Sequence, residues 1–98
     1  MGILWTGDVE GDREIEVDGR AVRVRVTPSP AKVLGGSTPL LVLATVTEGA
    51  YHLVGIVREY PLHFEARIPA GEGRATVHGI FGTPVDAALS LIREWLTR

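Results

Sequence analysis

Residues 40–60 read LLVLATVTEGAYHLVGIVREY, two largely apolar strand candidates, 40–47 and 51–59, divided by Glu48-Gly49-Ala50. Neither run alternates cleanly between apolar and polar positions. Successive side chains of a strand point to opposite faces, so Leu41, Leu43 and Thr45 share one side and Leu40, Val42, Ala44 and Val46 the other. With Glu48-Gly49 as a two-residue turn, the second run returns antiparallel. Leu41, Leu43 and Thr45 then oppose Ile56, Val54 and His52, while Leu40, Val42, Ala44 and Val46 oppose Val57, Gly55, Leu53 and Tyr51. A glycine bulge at the turn would shift this pairing by one residue. Strands apolar on both faces need two covers.

One helix pattern supplies the first cover. Thr83 can cap, Pro84 suits the first helical position, and Asp86 favours the positive end of a helix. Val85, Ala88, Leu89, Ile92, Trp95 and Leu96 follow at helical spacing, which predicts an amphipathic helix over 83–97. The small residues Ala44 and Gly55 assign that helix to their own face, near Ala88. The face with Leu41, Leu43, Val54 and Ile56 then requires something else, because a monomer rarely exposes a large contiguous apolar patch. Either the N-terminal hairpin folds across it or another chain does. The hairpin offers only Ile15, Val17, Val22, Val24 and Val26, so the expected cover is a second copy in a two-fold dimer.

The rest of the chain is mostly strand. Residues 13–17 and 20–27 alternate about Asp18-Gly19, the pair that suits a type I′ hairpin. That turn sets Ile15 opposite Val22, Glu14 opposite Arg23 and Asp12 opposite Arg25. Residues 3–9, 62–68 and 74–80 complete seven strand candidates, and Gly35–Pro39 reads as a long loop. The expected fold is α+β: a mostly antiparallel, six- to seven-stranded twisted sheet or barrel-like sandwich with one C-terminal helix. A chain of 98 residues is expected to form a single domain, β-rich over 1–81 and helical over 83–97.

Composition narrows the function classes. Twelve acids against ten bases give a net charge of −2, a poor match for nucleic acid. No apolar run approaches the roughly 18 residues of a membrane span, and cysteine is absent, so the expected location is the cytoplasm. Asp8, Glu10, Asp12 and Glu14 alternate as calcium-loop carboxylates do. The sixth residue of that loop, however, is Arg13 and the twelfth is Gly19. Gly35-Gly36-Ser37 lacks the lysine of a phosphate loop, and no nucleophile motif occurs. No cofactor is expected.

The three histidines are His52, His63 and His78. A four-residue turn at 70–73 would set Glu65 opposite His78 and Arg67 opposite Thr76, with His63, Glu65 and His78 on one face. Two imidazoles and a carboxylate can hold zinc or move protons, and Arg67 beside them could hold an anion. Alternation alone also puts polar residues on a solvated face, which is the simpler reading. Seven strands followed by a helix carrying Trp95 resemble the pleckstrin-homology architecture, which implies a bent sheet plugged by the helix. Gly82-Thr83-Pro84-Val85-Asp86-Ala87-Ala88-Leu89 resembles the helix start of HicB-type antitoxin domains. The function expected from the sequence is a non-enzymatic interaction module that binds itself or another protein. The alternatives are a small-ligand or anion-binding domain, or an enzyme on the His63/Glu65/His78 face.

Overall fold

The computed structural model describes residues 5, 8–29, 38–46, 49–71 and 74–97. Among the described residues six strands and one helix follow in order: β1 (Gly11–Val17), β2 (Arg20–Pro28), β3 (Leu40–Thr45), β4 (His52–Tyr60), β5 (His63–Gly71), β6 (Arg74–Phe81) and α1 (Pro84–Leu96). Every strand pairs antiparallel with the next, giving one open sheet in the order β1-β2-β3-β4-β5-β6. The α+β expectation therefore holds, with the sheet open instead of closed into a barrel. The seventh candidate, at residues 3–9, is not a strand at 5, 8 or 9, and its remaining residues lie outside the described ones. The Gly35–Pro39 loop is described only at its end.

The β1–β2 hairpin has the register its turn chemistry demands. Ile15 pairs with Val22, Glu14 with Arg23 and Asp12 with Arg25. Asp18 and Gly19 both adopt positive φ, 50° and 83°, as a type I′ turn requires. Arg25 donates from Nε to Asp12 Oδ1 at 2.9 Å and from a terminal nitrogen to Oδ2 at 3.1 Å. The hairpin continues the sheet beside β3, where Arg25 pairs with Leu43 and Val26 with Val42. It extends the open face instead of folding across it.

Helix α1 begins where the sequence places it. The Thr83 hydroxyl accepts from the Asp86 amide at 3.1 Å, and Pro84 opens the first turn. The helix packs on β3, β4, β5 and β6. Ala87, Ala88, Leu91 and Ile92 are buried beneath it, while Leu89, Trp95 and Leu96 are partly buried. The expected stripe thus runs slightly to one side, adding Ala87 and Leu91. A Cβ at Gly55 would lie 2.6 Å from both Leu91 methyls and 2.8 Å from the Arg67 carbonyl oxygen. Glycine there lets the helix sit close. Val22, Val24, Val26, Val42, Ala44, Val57 and Ala66 complete the buried core with Ile15 and Val17.

Candidate interaction face

Cross-strand pairing assembles the other face of the sheet into rows. One row runs Thr27, Leu41, Ile56, Arg67 and Val77, each paired with the next across β2 to β6. A second runs Asp12, Arg25, Leu43 and Leu53. A third runs Arg58, Glu65 and Ile80. Leu41, Leu43 and Ile56 are half-buried, and Leu53, Val77 and Ile80 are 46%, 52% and 62% exposed. An apolar band crosses the sheet obliquely, with the aliphatic part of Arg67 between Ile56 and Val77.

Val54 belongs elsewhere. The sequence sets it opposite Leu43 on this face, but Leu43 pairs with Leu53 and Ala44 with His52. The register holds from Leu40↔Val57 through Val42↔Gly55 and then slips by one residue, leaving Val54 as the extra residue of a β-bulge. Val54 is 5% exposed and part of the buried core; Leu53 takes its place on the open face. Helix placement on the Ala44/Gly55 side is as expected.

The histidine constellation is likewise rearranged by register. Glu65 pairs with Ile80 and Arg67 with Val77, so His78 falls in a bulge and Glu65 does not face it. The turn is also shorter than expected, because Gly71 pairs with Arg74. His63 stacks on Tyr60, with ring centroids 4.9 Å apart and 18° between the planes. Glu65 accepts from Arg67 Nε and, at 3.4 Å, from the Tyr60 hydroxyl. That carboxylate, with the Tyr60 contact, raises the Arg67 pKa despite partial burial. Arg67 is therefore engaged by a carboxylate, which weakens its attraction for a free anion. Among the described residues no group of three histidine or acidic side chains is arranged to hold a metal.

Charges frame the apolar band at both ends. On the hairpin side lie Glu14 and Arg23, and the Asp12–Arg25 pair whose guanidinium sits 4.6 Å from the Tyr51 ring centroid. Bonding to Arg25 holds the Asp12 carboxyl below its ordinary value and raises Arg25 in turn. On the β5 side lie Glu65, Arg67 and Arg58, the last 5.9 Å from the Tyr60 ring centroid. Acids and arginines balance across the face. Arginine and tyrosine around an apolar centre are the residue types that protein–protein interfaces favour. Strict alternation puts Leu53 on the helix side and Val77 on the face opposite Ile80, and the two bulges bring both residues onto this face. The spacing of Val77 and Ile80, three residues apart within one strand, was the available signal.

A separate cavity of about 390 Å³ opens beside Pro84. Val9, Leu40, Val57 and Phe64 line it, and Glu10 and Glu59 are its charged groups among the described residues. Its acidity does not suit an anion. No helix among the described residues is long and apolar enough to cross a membrane. In comparisons with known proteins, the chain matches no family model, no curated protein and no solved structure.

Proposed function

We propose that the protein is a small self-assembling module whose open sheet face packs against the same face of a second copy. The observation that carries this reading is the Leu41–Ile56–Arg67–Val77 row, a largely apolar strip across four strands that α1 leaves uncovered. A second copy suits it on charge grounds. Asp12, Glu14, Glu16 and Glu65 match Arg23, Arg25, Arg58 and Arg67, so the face can meet itself about a two-fold axis without net repulsion. A nucleic-acid surface would instead carry a surplus of cations. A cytoplasmic setting is part of the proposal, supported by a chain that needs no disulfide to fold.

Native mass spectrometry of the wild type and Leu43→Asp tests the reading. The wild type is expected at a multiple of the chain mass. Leu43→Asp is expected to halve that mass while keeping its far-ultraviolet circular dichroism. A wild type that stays monomeric at millimolar concentration would overturn the proposal, as would a folded variant of unchanged mass.

A further inference from the structure

The two edges of the sheet differ in how they treat an approaching strand. An edge strand exposes unpaired backbone amides and carbonyls, and proteins blunt such edges with charge, bulges or a covering segment. Edge strand β1 is blunted several times over. It carries Asp12, Arg13, Glu14 and Glu16 along seven residues, and Gly11 enters with φ 115°. Arg13 donates to the carbonyls of Asp8 and Glu10 and covers the Trp5 ring, its guanidinium 4.7 Å from the ring centroid. The segment before β1 is thereby drawn against the strand.

Edge strand β6 has little of this. Residues 75–81 read ATVHGIF, without proline, lysine, arginine or an acid. Thr76, Val77, Ile80 and Phe81 are β-prone, and a stretch without proline, lysine, arginine or an acid resists pairing with another strand less than a charged one does. Among the described residues β6 pairs with β5 alone, and Val77 and Ile80 are the most exposed large apolar side chains after Leu62. Both project on the open face at the very edge. Their burial against neighbours within the chain is incomplete because, among the described residues, no strand lies beyond β6 in the sheet order.

We infer that β6 pairs antiparallel with β6 of a second copy, in the register that sets Val77 opposite Ile80 of that copy and Ile80 opposite its Val77. Directly opposed residues of an antiparallel pair share a face, and Val77 and Ile80 already do. The same register sets Thr76 opposite Phe81, both on the helix side through their partners Ile68 and Phe64. It places the two-fold axis between His78 and Gly79. Arg74, the one charged residue of β6, meets no like charge. The bulge at His78, which with Arg74 is what blunts this strand, falls on the axis, where both copies bend alike. An isologous strand pair of this kind closes on itself and adds no further edge contacts. The inference is independent of open-face packing. Combined with it on intersecting two-fold axes, the edge contact gives a tetramer that Leu43→Asp splits into β6-joined dimers.

The absence of cysteine makes the register directly testable by thiol cross-linking. Val77→Cys and Ile80→Cys are prepared separately, at positions exposed enough to tolerate the change. Each alone, and an equal mixture, is oxidised with oxidised glutathione and read by intact mass. The expected result is a Val77→Cys/Ile80→Cys heterodisulfide in the mixture at more than fivefold the yield of either homodisulfide. It should persist when both chains also carry Leu43→Asp, and fall at least fivefold when both carry Thr76→Lys. No heterodisulfide, or equal yields in all three samples, would overturn the register. A lost heterodisulfide with a mass still sensitive to Leu43→Asp would remove the edge contact and leave the open-face proposal standing. A heterodisulfide with a mass insensitive to Leu43→Asp would do the reverse.

Discussion

The two faces of β3 and β4 are built from the same two stretches of chain, yet they differ in volume more than in polarity. Beneath α1 lie Val42, Ala44, Gly55 and Val57, all buried. On the other face stand Leu41, Leu43, Leu53 and Ile56, bulkier and only partly covered. The helix has settled where side chains are smallest, because close approach lets Leu91 reach the backbone at Gly55. Larger side chains would hold it off and lose the dispersion contacts of a dense core. Hydrophobicity alone therefore does not say which face of such a strand is interior. Size does, and the bulky face is left for another surface.

Neighbouring positions at the bulge offer the sharpest way to break this comparison. Val54→Asp buries a carboxylate in the core, at a cost that consumes much or all of the roughly 5–15 kcal/mol stability of a small domain. It is expected to unfold, whereas Leu53→Asp is expected to fold normally and only associate less. Thermal melts by circular dichroism decide between them, and equal tolerance at both positions would mean that the faces are misassigned. Next in size is Gly55→Ala. Its methyl meets Leu91 and the Arg67 carbonyl, and overpacking of this kind costs about 1–3 kcal/mol. Leu91→Ala alone should cost about 2–5 kcal/mol. The double variant should lose less than the sum in urea unfolding, and additive losses would place Leu91 away from Gly55.

The smallest effect belongs to the open face and is electrostatic. Asp12 titrates below its ordinary value of 3.8 because Arg25 bonds its carboxylate. A carboxyl depressed by folding contributes stability above its unfolded pKa, and that contribution is lost as pH falls through the folded value. Both side chains are exposed, so the contribution is slight and screened by salt. Carboxyl NMR is expected to show the Asp12 midpoint rising towards its ordinary value in Arg25→Gln. An unmoved midpoint would show that the pair does not persist in solution.

Those elements with a local cause were legible in the sequence. Asp18-Gly19 specifies the hairpin and its register, and Thr83-Pro84 with Asp86 specifies where α1 starts. Two-sidedness of the central strands and the helix side also follow from residue size. Bulges were hardly legible. The slips at Val54 and His78 break the period of two, and only the spacing of Val77 and Ile80 hints at either. Each slip moved one expected site residue, exchanging Val54 for Leu53 and parting His78 from Glu65. Of the strand expected at 3–9, the described positions 5, 8 and 9 are not strand: Trp5 and Val9 pack against the core, and Arg13 bonds the carbonyls of Asp8 and Glu10.

The central claim is that the bulky face is covered by a second copy, and methyl NMR with a soluble paramagnetic co-solute tests it most directly. Leu91 and Ile92 methyls should be shielded from the co-solute at every protein concentration. Leu41, Leu43, Leu53 and Ile56 methyls should be accessible in dilute protein and become shielded as concentration rises. Open-face methyls that stay equally accessible from micromolar to millimolar protein would contradict the account.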